Sequence, residues 1–509
     1  MNNKLNKNKK QGGKAIASGG FGCVFSPALK CKGSSKKEEG KITKLMTEDH
    51  ALKEYEEIHD IREKVKNIKN YRNYFLVDDL TLCEPEKLTE NDLKDFNAKC
   101  NAFKNDKIKK SNINEKLSKM MALNIPYGGK PVDDYIYENQ SFAKIYKLHI
   151  KLVQLLKYGI VPMNKKNVYH CDLKDSNILV EDKEEDEDKD KEDEDKDEED
   201  EDKDEDKDEE NKDKIKTRII DWGLSTEYVP FKEDSFPSTW RNRPLQFNVP
   251  FSVIIFTESF VKKYTEYILN GGKKDEANLK PFVLDYLHSW IEERGPGHYK
   301  FINEIMYILF NNEIKNLTEE NKKTLIESEF TVPYIINYIV QILIHFTKFR
   351  ENGTLNLRDY LDNVFIEITD KWGFITVYFP LLELLHLNYD NLTNNQLDMF
   401  NAIKNLFIKY LYEPRIKPIN LIELYKDLYK LGKLINKEEI VQIKLASGIK
   451  NINNKTTRKK FIKSLTGKTF IPSSSKRFFR RLSKNKTRKF KTENLFMVSK
   501  KRKYKNKIK

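Results

Sequence analysis

The chain has 509 residues, enough for two or three average domains or for one large domain that carries insertions and tails. Charged residues make up 34% and hydrophobic residues 38% of the chain, so the composition excludes a wholly disordered protein and allows a real core. No apolar run follows the basic N-terminus, and the five cysteines form no C-x-x-C pair. The sequence therefore predicts an intracellular protein with free thiols and no secretory signal.

The net charge of +14 conceals two segments of opposite sign. Residues 181–214 contain 25 acidic residues and eight lysines, whereas residues 450–509 contain 23 lysines and arginines and one glutamate. Dense like charge keeps a segment extended and solvated. We expect a disordered leader over residues 1–14, an acidic surface loop over 181–214 and a disordered basic tail over 443–509.

The first predicted elements are strands and a helix. "AIASGGFGCVF" (residues 15–25) has apolar residues on both sides of a glycine cluster, which is typical of two short strands joined by a tight turn. A third strand is predicted over residues 40–46 and an amphipathic helix over residues 47–65. A further strand over residues 121–129 ends in a Pro/Gly hinge.

The remainder of the chain is predicted to be mostly helical. A helix over residues 141–158 precedes "HCDLKDSNILV", and strong helices follow over residues 368–385 and 420–435. The most apolar stretch, residues 332–346, is short and carries three polar side chains. It therefore indicates a buried helix rather than a membrane span.

The residue types that phosphoryl transfer requires follow His170. Asp172 can accept a proton from a hydroxyl group, and Lys174 can hold a phosphoryl group. Asn177 and, beyond the acidic run, Asp221 can supply oxygen ligands to Mg²⁺. A D-x-K-x-x-N turn followed by Asp-aromatic-Gly is a specific signal. The glycine cluster alone is weak evidence for phosphate binding and favours an ordinary β-turn.

Together these motifs resemble the protein kinase family, in particular the eukaryotic-type serine/threonine kinases. The resemblance runs from about Ala15 to about Ile435 and implies an α+β, two-lobed fold with ATP in the cleft. It implies a small β-rich lobe over residues 15–127 and a larger helical lobe over residues 128–442. The expected reaction is ATP- and Mg²⁺-dependent phosphorylation of serine or threonine hydroxyls in a protein substrate.

The resemblance also assigns nucleotide-binding residues. Lys44 matches the strand lysine that contacts the α and β phosphates, and Glu54 is its expected ion-pair partner. Lys41 and Glu57 are the alternatives for that pair. The loop that covers the phosphates is expected to comprise Ala17, Gly19, Gly20, Gly22 and Val24.

Three further expectations concern the cleft and its support. Backbone groups of Ile125 and Tyr127 in "IPYGG" would hold adenine. A hairpin around the acidic run would bring Asn177 and Asp221 to the same metal ions. Asp370 in "DKWGF" would anchor the catalytic loop from below. Between "QFNVP" (residues 246–250) and this helix the family needs about 20 residues, whereas this chain has about 120. We therefore expect a helical insertion over about residues 251–364.

The chain departs from the family at three positions. Cys171 replaces an arginine that binds a phosphorylated activation loop, so the resemblance implies activity without that phosphorylation and a buried, inert thiol. Phe251 stands in place of a glutamate, which would leave its usual partner, Arg415, pointing to solvent. Trp222 in place of Phe should keep a bulky apolar plug beside Asp221.

Two other classes of protein remain open. One is a small-molecule phosphotransferase, and the other is a catalytically idle protein that binds nucleic acid or another partner through the basic tail. The acidic loop could then compete for that tail. The Lys/Asn/Ile-rich composition and "FPSTWRNRPLQFNVPFS" resemble serine/threonine kinases of giant DNA viruses, which implies the host cytoplasm or the virion and no membrane attachment.

Overall fold

A computed structural model describes residues 14–139, 141–183, 215–232, 237, 240, 243–314, 317–353 and 355–450. The chain divides into two compact units, Met1–Ile440 and Val441–Lys509, and the described residues of the second unit, 441–450, are helical. The predicted leader, except for Lys14, lies outside the described residues. So do the acidic run from residue 184 and the basic tail from residue 451.

The N-terminal part is an antiparallel five-stranded sheet in the order β1-β2-β3-β5-β4. Its strands are β1 Lys14–Ser18, β2 Gly22–Ser26, β3 Lys41–Thr47, β4 Thr81–Cys83 and β5 Met120–Pro126. Helix α1, Glu48–Val65, buries Ala51, Ile58 and Ile61 at helical spacing and packs against β3 and β5. Acidic residues in its first turn and basic residues in its last turn suit the helix dipole. The strands and the helix predicted for this part are confirmed.

A second layer packs against strands β1 and β2 of this sheet. Short helices α2 (Phe96–Lys99) and α3 (Ile113–Lys116) belong to it, and Phe96 packs against Phe25 of β2 with ring centroids 6.3 Å apart. Ser18 Oγ, at the end of β1, accepts hydrogen bonds from the backbone N–H groups of Asn101 (3.1 Å) and Ala102 (2.8 Å). The layer therefore holds β1 directly.

The reading of the cysteines as free thiols is wrong for four of the five. Disulfides join Cys23 to Cys100 and Cys31 to Cys83, while Cys171 is free and buried. The partners lie 77 and 52 residues apart in sequence. The first disulfide joins β2 to the second layer, and the second joins the segment after β2 to β4 of the sheet. Because disulfides persist in oxidising compartments, the cysteines no longer support the prediction of an intracellular protein.

Thiol counting tests this pairing. We expect one reactive thiol per chain, Cys171, when the protein is denatured without reductant, and five after reduction. Replacing Cys100 by Ser should lower the free energy of unfolding by about 2–4 kcal/mol, because the cross-link restricts the unfolded chain. Five reactive thiols before reduction would contradict the two disulfides.

The larger C-terminal part is mainly helical and contains short strands. The three-stranded sheet β6-β8-β9 includes the predicted hairpin, which is confirmed by antiparallel pairing from Ile178 with Ile219 to Asp182 with Ile215. The strands of this part are β6 Lys130–Pro131, β7 Val168–Tyr169, β8 Ile178–Asp182, β9 Ile215–Ile219, β10 Thr226–Glu227, β11 Lys348–Phe349 and β12 Leu355–Asn356.

Helices make up most of the remaining described residues of this part. They are α4 Val132–Glu138, α5 Phe142–Gln154, α6 Val161–Lys165, α7 Glu258–Leu269, α8 Glu276–Arg294, α9 Tyr299–Phe310, α10 Glu319–Ile326, α11 Val332–Phe346, α12 Arg358–Tyr360, α13 Ile366–Thr376, α14 Phe379–Leu387, α15 Asn394–Phe407 and α16 Leu421–Lys450. The single helix predicted over residues 368–385 is two helices, because Pro380 lacks the N–H that a continuous helix would need. Helix α16 continues to Lys450, past the predicted start of the tail.

Helix α11 lies in the core, as its polar residues predicted. Tyr338 on this helix is fully buried and packs edge-on against Trp372 of α13, with ring centroids 5.6 Å apart. Among the described residues, the stretch Asn321–Phe346 is long and apolar enough to cross a membrane, but 44% of its most apolar window is buried inside the protein. The protein is thus a mixed α+β structure with an N-terminal sheet and a larger helical part.

Candidate active site

The predicted glycine turn joins β1 to β2. Gly19 N–H donates to the Gly22 carbonyl at 2.9 Å, and Ala17 pairs with Val24. A Cβ atom at Gly22 would lie 2.4 Å from Met46 Cγ, so only glycine fits against β3 there, whereas Gly20 faces open space. A Cβ atom at Gly19 would lie 3.8 Å from Lys44 Cε, so the turn lies next to Lys44.

The ion pair predicted between β3 and α1 is present. Lys44 Nζ lies 2.6 Å from each carboxylate oxygen of Glu54, and both side chains are mostly buried. The alternative Lys41 instead bonds to Glu38 and Asp79. Two hydrogen bonds to one carboxylate fix the position of the ammonium group beside the glycine turn.

Glu57, the alternative partner for the lysine of this ion pair, lies near the Asp-Trp-Gly motif of residues 221–223. Its nearest cation is Lys53, at 3.7 Å, and a Cβ atom at Gly223 would lie 3.9 Å from its Oε2. Burial raises the pKa of Glu57. Glu57 therefore borders the Asp-Trp-Gly motif rather than pairing with Lys44.

The predicted hinge residues lie at the end of β5. Ile125 pairs with Ile42 inside the sheet, and the Tyr127 N–H donates to the Gly40 carbonyl at 2.8 Å. That N–H is therefore engaged within the protein, and the expectation that backbone groups around Ile125 and Tyr127 hold adenine stays a prediction. A Cβ atom at Gly129 would lie 1.9 Å from the Val180 carbonyl oxygen, so this position requires glycine for close approach to β8.

Asp172 lies at the centre of a hydrogen-bonded cluster. Its Oδ2 accepts from Lys174 Nζ at 2.7 Å and from Asn177 Nδ2 at 3.0 Å. Its Oδ1 accepts from Asn248 Nδ2 at 2.8 Å, and Arg243 Nη2 lies 3.8 Å away. Burial alone would raise the pKa of Asp172, but Lys174, Asn248 and Arg243 together outweigh burial and hold the pKa below its ordinary value.

Asp370 supports this cluster from beneath. The side chain is 1% exposed; its Oδ2 accepts from His170 N–H at 2.9 Å and its Oδ1 from Cys171 N–H at 2.8 Å. Asn164 Nδ2 also donates to Oδ2, at 2.7 Å. The Asp370 carboxylate on α13 thus fixes the backbone that leads into Asp172, in agreement with the anchoring role that the resemblance implied for Asp370.

Asn177 and Asp221 lie at the same end of the β8–β9 hairpin. Ile220 N–H donates to the Asn177 carbonyl at 3.0 Å, and Asp221 is the next residue. Asn177 Nδ2 is occupied by Asp172, which leaves Oδ1 without a donor among the described residues. Asp221 is exposed and has φ +67°, and its carboxylate forms no ion pair within the described part of the chain. Both oxygens are therefore available to a cation.

Trp222 forms the expected apolar plug. It is 2% exposed and packs against His170 and Phe75, with ring centroids 4.9 Å and 5.9 Å apart. His170 N–H also bonds to Asp370, so His170 is held both by this hydrogen bond and by the packing of its ring against Trp222.

Cys171 is held by two residues that the sequence had not indicated as functional. Trp240 Nε1 donates to its Sγ at 3.1 Å, and Arg243 Nη1 donates to its carbonyl at 2.7 Å. Burial raises the thiol pKa well above its ordinary value, in keeping with the predicted inert thiol. The segment after the Asp-Trp-Gly motif is thus attached, through its own side chains, to the loop that carries Asp172.

The expectation that Arg415 points to solvent is wrong. Its Nε is buried without a hydrogen-bond partner among the described residues, and its guanidinium lies 5.5 Å from the centre of the Tyr410 ring. Phe251 is fully buried and stacks on Tyr412, with centroids 5.7 Å apart. Both residues therefore pack against aromatic rings.

Within the described residues there is no group of three or more His, Cys, Asp and Glu side chains suited to a metal ion. Mg²⁺ in nucleotide sites typically needs only one or two carboxylates, with phosphates and water as the other ligands. Asp221 and the Asn177 amide fit that requirement. Neither a scan against protein-family models nor a search of curated proteins returned a match for this chain, so an assignment of function rests on the geometry of these residues.

Proposed function

We propose that the protein is an ATP-dependent serine/threonine protein kinase with the two-lobed fold of that family. The observation that carries the proposal is that Lys174 and Asn177 both bond to the Asp172 carboxylate, with Asp221 at the adjacent strand end. The Lys44–Glu54 pair beside the glycine turn supports the nucleotide half of the site.

These residues suit an in-line phosphoryl transfer. The acceptor hydroxyl oxygen forms a bond to the γ-phosphorus of ATP, the bond from that phosphorus to the β–γ bridging oxygen breaks, and ADP leaves. The hydroxyl proton passes to Asp172. Lys44 binds the α and β phosphates, and Lys174 stabilises the charge on the transferred group. Asn177 and Asp221 would hold Mg²⁺, which would neutralise charge on the phosphates.

The donor set has a consequence for metal binding. One carboxylate and one amide leave most of the Mg²⁺ ligand sphere to phosphates and water. The ion should therefore bind together with the nucleotide and only weakly without it. The role of Asn177 is to hold both that ion and, through its Nδ2, the carboxylate of Asp172.

The test is incorporation of labelled γ-phosphate into a basic protein substrate. Replacing Asp221 by Ala is expected to reduce incorporation by at least about 100-fold, because the charge that neutralises the phosphates is lost with the metal ligand. Asp285→Ala, at an exposed position of α8, is the matched control and should leave incorporation unchanged. Equal incorporation by wild type and Asp221→Ala would exclude the kinase proposal.

The same assay separates the alternatives. Transfer to small alcohols or amines but not to protein would favour a small-molecule phosphotransferase. The absence of any Asp221-dependent transfer would favour an idle binding protein. The observation in favour of a nucleic-acid partner is the charge of residues 450–509, nearly all of which lie outside the described residues.

A further inference from the structure

A loop of the helical segment reaches the backbone beside Asp172. The loop comprises residues 295–298, between α8 and α9. His298 N–H donates to the Leu245 carbonyl at 3.1 Å. Gly297 has φ +51°, and a Cβ atom there would lie 2.9 Å from the Leu245 carbonyl oxygen. The two backbones are thus docked together more closely than another side chain would permit.

The docking places the His298 ring one side chain away from the catalytic cluster. The imidazole stacks on Phe247 with ring centroids 5.4 Å apart and an interplanar angle of 29°. The next residue, Asn248, donates to Asp172 Oδ1 at 2.8 Å and to the Leu173 carbonyl at 3.2 Å. Phe247 is itself fixed, since its carbonyl accepts from Trp372 Nε1 at 2.8 Å.

The two oxygens of Asp172 are bonded by different groups of residues. The proposed phosphate and metal ligands, Lys174 and Asn177, bond to Oδ2 of Asp172. Asn248, the neighbour of the His298–Phe247 stack, bonds to Oδ1. His298 is therefore connected, through Phe247 and Asn248, to the Oδ1 side of the Asp172 carboxylate.

The His298 imidazole is neutral at physiological pH. Burial lowers the pKa of His298 to about 4, and the positive charge of Lys174 acts in the same direction. Asp172 opposes that shift and Arg243 adds to it. Nδ1 of His298 is buried and has no hydrogen-bond partner among the described residues. A neutral ring has one acceptor and one donor nitrogen, which suits an uncharged polar group better than an ion.

We propose that His298 contacts the acceptor segment of the protein substrate, through a hydrogen bond to a backbone amide or hydroxyl group of that segment. Residues 251–364 then supply one wall of the acceptor site, a role beyond the kinase motifs. This inference rests on the proposed kinase function and names the part of the site that selects the acceptor.

The test uses two replacements of opposite character in the full chain. His298→Phe keeps a ring to stack on Phe247 but removes both nitrogens, whereas His298→Asn keeps a polar group near Nδ1. At saturating ATP, His298→Phe is expected to raise KM for an acceptor peptide about 3- to 10-fold, as the loss of one hydrogen bond would. KM for ATP should stay within about twofold, and His298→Asn should recover most of the acceptor affinity. His345→Ala, an exposed histidine on α11, is the control and should change neither constant.

The outcomes distinguish this inference from the function on which it rests. Wild-type transfer that Asp221→Ala does not reduce would overturn both. Asp221-dependent transfer with an unchanged acceptor KM in His298→Phe would overturn the contact alone. So would an equal rise in both KM values, or a loss in His298→Asn as large as in His298→Phe, since either result would mark a purely structural role. Melting temperatures of the variants show whether folding has changed.

Discussion

Replacing Asp172 by Asn is expected to lower kcat by about 10²- to 10⁴-fold, because the variant cannot take the proton from the acceptor hydroxyl. Donors surround both oxygens of the wild-type carboxylate, from Lys174 and Asn177 on one side and Asn248 on the other. The amide of the variant leaves one of these donors facing another N–H group, so a modest loss of stability should accompany the loss of rate. Single-turnover transfer at saturating ATP measures the effect on chemistry.

The sign of the pH dependence follows from the same contacts. The pKa of Asp172 is below its ordinary value, so the carboxylate is ionised throughout the physiological range and the acidic limb of kcat/KM lies below that ordinary value. Replacing Lys174 by Met removes the charge and the hydrogen bond that most strongly oppose burial, so the acidic limb should move to higher pH. A limb that moves to lower pH, or an Asp172→Asn variant with wild-type turnover, would contradict the assignment of the base.

The second large effect is expected at Asp370, where replacement by Ala should destabilise the fold and release the catalytic loop. Three buried donors, the N–H groups of His170 and Cys171 and the Asn164 amide, lose their acceptor. At about 1–3 kcal/mol for each unsatisfied group, the loss is large beside a typical stability of about 5–15 kcal/mol. Denaturant unfolding measures it, and hydrogen exchange at residues 170 and 171 should become faster.

Two variants calibrate that result. Asp370→Asn retains one oxygen in the position of Oδ2, which accepts two of the three hydrogen bonds, so its loss should be only about 1–3 kcal/mol. Asp398→Ala, at an exposed position of α15, should stay within about 0.5 kcal/mol of wild type. A loss below about 1 kcal/mol in Asp370→Ala, with unchanged turnover, would show that Asp370 does not anchor the loop.

Sequence alone located much of the candidate site because its residues are either neighbours in the chain or follow a simple period. Asp172, Lys174 and Asn177 lie within one short turn, and the strands around the acidic run predicted that Asp221 returns to that turn. The helical spacing of apolar residues on α1 placed Glu54 towards the sheet, and the structure pairs it with Lys44. Local pattern was sufficient for these residues.

The remaining site residues depend on contacts that no local pattern reveals. Arg243 and Asn248 reach the loop that carries Asp172 from a segment about 70 residues further along the chain. His298 stacks on Phe247, next to Asn248, from the loop between α8 and α9. Their types are ordinary for polar loops, so nothing in the sequence distinguishes them before the chain is folded. The two disulfides escaped prediction for the same reason, since cysteine spacing does not determine pairing.

Two attachments of β1 and β2 to the second layer limit how the glycine turn between these strands opens. Ser18 is tied to the second layer by two backbone hydrogen bonds, and Cys23 is tied to it covalently. Only residues 19–22 lie between these two fixed points. A nucleotide beneath the turn would therefore enter and leave by flexing of a tip of four residues, while the hairpin that carries it stays seated. In the proposed nucleotide site, the lid would thus comprise only these four residues, attached to the second layer at both ends.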